Sequence, residues 1–249
     1  MIFEAAPAII GHRGYGSGDP TPPGYGAPVA ENTLDSLLAA VDAGASWVEI
    51  DVTRTADDDL VLRHDPTTAE GDYVVDLAAA ACGLPRLAEI FAALPPEIAV
   101  DVDVKTVLED AVDAPSRRTG ALLVPLLKRE AKRRRLLVTS FDPALLTYLR
   151  GELPGVPLGL LTWLRFPLWQ AVPAAAGLGF DAVAVHTGSC GLDHPDTRLR
   201  PLEHCVDVAH KAGLETVVWC PTAEAAPVYA AAGFDAMVVN DVPGVLAAL

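Results

Sequence analysis

The chain is short of positive charge. Lysine and arginine together number 18 against 33 aspartates and glutamates in 249 residues, a formal net charge of -15 at pH 7. Such a field argues against nucleic acid and anionic membrane surfaces as main partners, although a few local cations or a metal can still receive a small anion. Cysteine is scarce too. Cys82, Cys190, Cys205 and Cys220 show neither metal-ligand spacing nor a disulfide-framework pattern, which predicts reduced, mostly buried thiols. No apolar run approaches the ~20 residues needed to span a bilayer. Met1 to Ala8 lacks the basic-then-apolar pattern of a signal peptide. These absences predict a cytoplasmic globular protein with no nucleic-acid partner and no stable membrane association, and leave the oligomeric state open.

What the chain has is core. Hydrophobic residues make up 51% of it, and a domain of roughly 250 residues buries about three quarters of its unfolded surface. One domain over residues 1–249 is the expectation. Its organising stretch is Ile9-Ile10-Gly11-His12-Arg13-Gly14, an apolar strand ending in two polar groups and a glycine turn. Its partner is Trp47-Val48-Glu49-Ile50-Asp51-Val52, where alternation places Glu49 and Asp51 on one face.

Between them, Tyr15 to Ala30 is rich in Gly and Pro and reads as a long loop, either a functional lid or a tolerated surface insertion. A helix follows from Leu34 to Ala43, stopped by Gly44. After Val52 the connection to Leu60-Val61-Leu62-Arg63-His64 is too short for a parallel crossover. That segment should return as a hairpin turning near Asp57-Asp58, which sets His64 roughly opposite Asp51. Residues 65–84 read as a short excursion with little regular structure.

Beyond it, strands and helices alternate. Strands are expected at Ile98–Val104, Leu136–Ser140, Val156–Leu161, Asp181–His186, Glu215–Trp219 and Asp235–Asn240, with helices between them. Pro173 weakens the helix expected over Leu168–Leu178. Hairpin aside, this gives eight strands, the pattern and length of a (β/α)8 TIM barrel with an extra β-hairpin after strand 2 and a short insertion. A doubly wound open sheet is the rival, but its glycine-rich dinucleotide turn is missing.

In a barrel, function sits at the carboxyl ends of the strands. His12, Asp51, Asp103, Lys105, Ser140, His186 and Trp219 all fall there. Glu49, Asp51 and Asp103 form a candidate site for one divalent cation, and oxygen-only ligands suit Mg2+ or Ca2+ over zinc. The bland alternative pairs these carboxylates with Arg13 and Lys105 as buried salt bridges. Arg13 and Lys105 are candidate phosphate binders, and His12 and His64 a candidate acid and base. His186 could line the pocket, while His194, His204 and His210 read as surface residues. The basic run Lys128 to Arg135 reads as a solvated helix end on the face opposite the site.

These residues, in order, resemble the glycerophosphodiester phosphodiesterase family. The likeness runs through His12-Arg13-Gly14, Glu31-Asn32-Thr33, Glu49-Ile50-Asp51-Val52 and His64-Asp65. It continues through Pro85-Arg86-Leu87-Ala88-Glu89, Asp103-Val104-Lys105, Ser140-Phe141, Trp219 and Asp241-Val242-Pro243. The resemblance implies a barrel phosphodiesterase with a divalent cation on Glu49, Asp51 and Asp103, His12 and His64 as acid and base, and Arg13 and Lys105 on the phosphate. Its substrate would be a small glycerophosphodiester, cleaved to glycerol 3-phosphate and an alcohol. Glu31, Phe141, His186 and Trp219 are the weaker pocket candidates.

Three departures stand out. Asp103 replaces the usual Glu, as in the sphingomyelinase D-like branch; Trp219-Cys220-Pro221-Thr222 replaces Trp-Thr-Val-Asn; and the insertion after His64 is short. A lysophospholipase D or sphingomyelinase D-like activity on lipids, with Leu164–Trp169 as an acyl contact, and a non-catalytic phosphate-binding barrel are the alternatives.

Overall fold

The computed structural model describes residues 1–192 and 200–249. The element order is β1 (Ala8–Gly11), α1 (Leu34–Asp42), β2 (Trp47–Arg54), β3 (Leu60–Leu62), α2 (Ala79–Cys82), α3 (Leu87–Ala93), β4 (Ala99–Val104) and α4 (Thr119–Glu130). There follow β5 (Leu136–Ser140), α5 (Pro143–Glu152), β6 (Leu158–Leu161), α6 (Leu168–Gly177), β7 (Ala182–His186), α7 (Leu202–Lys211), β8 (Glu215–Trp219), α8 (Ala226–Ala232), β9 (Ala236–Val239) and α9 (Val242–Ala248). Eight strands pair in parallel around a closed ring, β1-β2-β4-β5-β6-β7-β8-β9, with β9 returning to β1. Strand β3 lies outside the ring, antiparallel to β2. This is the (β/α)8 barrel expected from the sequence, with its extra hairpin.

Strand alternation divides the core in two. Ile10, Trp47, Ala99, Leu137, Ala182, Val217 and Ala236 fill the barrel interior, and Ile2 and Phe3 plug its amino end. Trp47 meets Phe3 edge-on at 5.3 Å, and small residues on the other strands make room for the indole. The outward-facing positions pack against the helices in a larger apolar belt. On β2, β4 and β5 the inward positions turn polar towards the carboxyl end: Glu49, Asp51, Asp101, Asp103 and Thr139 are all buried. The layer that would complete an apolar barrel is given over to carboxylates.

Several local expectations are corrected. The hairpin register pairs Val52 with Leu62, so the amide of Arg63, not His64, bonds the Asp51 carbonyl, at 3.1 Å. The loop is centred on a single residue: the Thr55 N–H donates to the Asp59 carbonyl, with Asp58 at φ +62°. A turn centred on the Asp57-Asp58 pair would have shifted the pairing by one. Pro173 lies inside α6 without ending it, because its face is exposed and water can take the freed carbonyl. Of the cysteines only Cys190 is buried; the other three are half-buried, and all are free.

The basic run is not simply solvated. Arg134 is buried, bonds Glu130 at 3.0 Å and donates to the carbonyls of Phe91, Leu94, Pro95 and Ile98. It ties α4 to the chain entering β4 at the barrel's amino end. Leu168 is buried in the core, and Trp169 lies in a groove between α6 and α7. The expected acyl contact from Leu164–Trp169 is therefore reduced to its first residues. His204 and His210 are exposed as expected, and His194 lies outside the described residues. Among the described residues no helix is long and apolar enough to cross a membrane.

Candidate active site

Strand ends bring the predicted residues together. Glu49 and Asp51 on β2 and Asp103 on β4 each offer an oxygen within 4.8 Å of the others, and all three are buried. β2 and β4 run in parallel with Asp51 beside Asp103, so the cluster follows from register alone. Burial and the neighbouring carboxylates hold Glu49 well above the ordinary carboxylate range. Burial also raises Asp103, to about 6, against the pull of Lys105. Asp51 goes the other way: burial would raise it, but Lys105 and Arg13 hold it below its usual value.

Glu49 Oε1 and Asp103 Oδ1 are buried oxygens with no hydrogen-bond partner. Asp51 Oδ1 lies 3.0 Å from Lys105 Nζ but is not aligned for a hydrogen bond. Buried acceptors of this kind are costly unless something satisfies them. A hard divalent cation fits this all-oxygen donor set.

The two cations line the same cluster. Lys105, one residue past β4, contacts both Asp103 and Asp51, whose charges hold its ammonium above its usual range although burial opposes this. The Arg13 guanidinium reaches Glu31 at 2.8 Å and Asp51 at 3.2 Å, and its backbone N–H donates to Glu49 Oε2 at 2.8 Å. Glu31 thus anchors the arginine fork. The salt-bridge alternative is realised in these contacts, but it leaves the two acceptors above unserved.

His12 follows β1. Its Nδ1 lies 2.7 Å from Asn240 Oδ1 and its Nε2 4.0 Å from Glu49 Oε2. The same amide oxygen accepts the Ser17 N–H at 3.1 Å, a group that can only donate, which fixes the amide orientation. His12 Nδ1 therefore carries the proton and leaves Nε2 open towards the carboxylates. Burial works against the imidazolium, yet the contacts to Cys220 and Asn240 hold His12 above its ordinary value. His64 similarly ties its Nδ1 to Asp65, at 2.7 Å. His186 packs edge-on against Trp219 at 4.3 Å, and its Nδ1 accepts the Gly188 N–H. Trp219 in turn meets Phe141 at 6.1 Å, so three of the weaker pocket candidates, Phe141, His186 and Trp219, touch in a row, while Glu31 sits apart on Arg13.

Two residues carry more than sequence reasoning gave them. Asn32, at φ +58°, donates to Asp51 Oδ2 at 2.9 Å and accepts the Asp51 N–H at 3.0 Å, locking that carboxylate. Its signal was its place inside Glu31-Asn32-Thr33. Asn240 had none beyond adjacency to Asp241. The long loop is tied to the same asparagine: Gly16 has φ +124°, and a Cβ there would sit 2.3 Å from the Asn240 carbonyl oxygen. Only glycine allows this approach.

A closed parallel barrel with buried carboxylates, two oriented histidines and two cations at its carboxyl mouth has the build of a (β/α)8 phosphoric diester hydrolase. The model of the glycerophosphoryl diester phosphodiesterase family matches residues 12–243, and the chain belongs to that family. Over 58 residues it is 47% identical to glycerophosphocholine phosphodiesterase gde1 of Schizosaccharomyces pombe, a match covering 23% of this chain and 5% of that protein. The chain thus corresponds to a small part of the curated relatives it matches. Two solved structures share the fold. One is an Oleispira antarctica phosphodiesterase in complex with the product sn-glycerol-3-phosphate (TM-score 0.76, 22% identity, 97% of this chain and 96% of that one). The other is the glycerophosphodiester phosphodiesterase of Thermotoga maritima (TM-score 0.71, 19% identity, 96% and 97%).

Proposed function

We propose that the chain hydrolyses glycerophosphodiesters to glycerol 3-phosphate and an alcohol, with a divalent cation on Glu49, Asp51 and Asp103 and with His12 and His64 as proton acceptor and donor. The observation that carries this reading is the set of buried, unserved carboxylate oxygens beneath two histidines that both have Nδ1 occupied. Bound there, Mg2+ or Ca2+ would neutralise phosphate charge and polarise a phosphoryl oxygen. The protein's own groups do the rest. The Arg13 fork, braced by Glu31, and Lys105 bind phosphate oxygens. Asn32 keeps Asp51 oriented, and Asn240 keeps the His12 Nε2 lone pair facing the centre. His12 and His64, held on different loops, exchange protons with the attacking water and the departing alkoxide, each ending in the other's starting state.

The name of the fungal relative and the product bound in the Oleispira structure support this substrate class. A second reading, cleavage of lysophospholipids, is favoured by Leu108, Trp163 and Leu164, which are 87, 67 and 60% exposed. The test is a diester assay with Mg2+, Ca2+ or EDTA, beside His12→Ala. Release of glycerol 3-phosphate that requires metal and His12 is expected. A metal-independent activity, or one untouched in His12→Ala, would overturn the mechanism.

A further inference from the structure

Cys220 stands in the stretch Trp219-Cys220-Pro221-Thr222, and its backbone is held in an uncommon state. Its φ is +60°, and a proline follows it. A left-handed φ is costly for a residue with a Cβ, and a following proline narrows the choice further. Glycine is the residue that would sit there at ease. The conformation is fixed all the same, because the Cys220 N–H donates to the Val238 carbonyl at 2.8 Å. Strain kept at a strand end beside a candidate active site points to a task for the side chain.

The strain redirects the thiol. Along β8, Val217 faces the barrel interior, Val218 the outer belt, and Trp219 the interior again. Regular alternation would turn Cys220 outward, towards the helices. Instead its half-buried Sγ lies 3.9 Å from His12 Nδ1 and accepts from Asn240 Nδ2 at 3.8 Å. With the 2.7 Å link between His12 Nδ1 and Asn240 Oδ1, the three side chains close a triangle.

That link is shared. Asn240 Oδ1 also takes the Ser17 N–H and the Ser17 hydroxyl, both at 3.1 Å. Three donors compete for the two lone pairs of one amide oxygen, so the oxygen alone is a poor clamp for the imidazole. The sulfur completes it. A thiol is a weak acceptor, but it engages the other end of the amide and fills the space beside the ring.

We infer that Cys220 is a positioning residue for His12: through Asn240 it keeps the proton on Nδ1 and Nε2 turned towards the carboxylates. The inference rests on the phosphodiesterase reading above, in which Nε2 exchanges a proton with the reacting oxygen. The thiol itself makes and breaks no bond.

Cys220→Ala and Cys220→Gly test this together. Alanine removes the sulfur and keeps the backbone strain, whereas glycine removes both. Each should lower kcat about three- to tenfold, the worth of one hydrogen bond, with KM and the metal concentration for half-activation unchanged. The glycine variant should melt above the alanine variant by about 2–4 °C, yet turn over no faster. A residue that mattered only for stability would recover kcat along with the melting temperature.

The second readout needs no turnover. Nitrogen NMR of the histidine-labelled, Mg2+-loaded protein should show His12 as the Nδ1–H tautomer in wild type and as a mixture of tautomers in both variants. The same spectrum in all three proteins, an unchanged kcat, or a loss confined to KM or to metal affinity would overturn the positioning role. If wild type cleaves no diester, the phosphodiesterase reading fails on its own and the spectra alone decide the place of Cys220.

Discussion

A histidine acts through whichever ring nitrogen its neighbours leave free, and here both candidates have Nδ1 engaged. Replacing His12 or His64 by Ala should therefore lower kcat by roughly 10²–10⁴-fold, the usual worth of a positioned acid or base, while leaving metal-induced stabilisation intact. A variant that also lost the metal would show the ring to be structural. Asp101 gives a second residue-scale prediction. It lies beside Glu49 in the β2–β4 register, accepts a hydrogen bond from Thr139 Oγ1 at 2.9 Å, and burial pushes it up to about 8. Its folded-state value is above the unfolded one, so the folded form holds the extra proton between about pH 4 and 8, and stability falls as pH rises through that window. Asp101→Asn keeps the acceptor and removes the titration. In EDTA its melting temperature should lie above wild type at pH 8 and converge with it near pH 4, at about 2–4 °C per kcal/mol. Parallel curves would show that Asp101 is already ionised. None of this was legible from residue type. Inward alternation gave Asp101 its face, but its proton comes from burial that only the closed barrel creates, against the Thr139 hydrogen bond, which favours the carboxylate.

At the scale of elements the sequence was far more informative. Alternation in β2 and β4, together with their parallel register, was enough to unite Glu49, Asp51 and Asp103, because both depend on the period-two geometry of strands. The His64 register slipped by one because a hairpin's pairing depends on its turn, and the φ of Asp58 is not written in composition. The long loop's attachment was equally hidden. Its anchor, Asn240, lies more than 200 residues away in the chain and meets Ser17 only once the barrel closes. The same blindness affected Arg134, whose charge suggested solvent although four backbone carbonyls surround it. Arg134→Ala should cost about 1–3 kcal/mol, since it removes the donor to the carbonyls of Leu94, Pro95 and Ile98 while Arg129 and Arg133 still pair with Glu130, and it should leave kcat/KM unchanged because it lies at the opposite end of the barrel. Urea unfolding beside a kinetic assay checks both halves, and a large kinetic loss without destabilisation would contradict the placement.

For the whole molecule, the net charge of -15 sets the field through which substrate arrives. Arg13 and Lys105 could be expected to reverse it locally, but their charges are matched within the site. With a divalent cation bound, the positive groups there balance Glu31, Glu49, Asp51 and Asp103, so the loaded centre is close to neutral. The long-range field is then that of the surface, and it is negative. An anionic diester such as glycerophosphoglycerol should feel repulsion that salt screens, because the Debye length shortens to about 8 Å near 0.15 M. Its kcat/KM should therefore rise severalfold between about 0.01 M and 0.15 M salt. A zwitterionic diester carries no net charge, and its kcat/KM should stay nearly flat over the same range. A fall with salt for the anionic diester would mean that Arg13, Lys105 and the metal dominate at a distance, and that the acidic surface has no part in choosing the substrate.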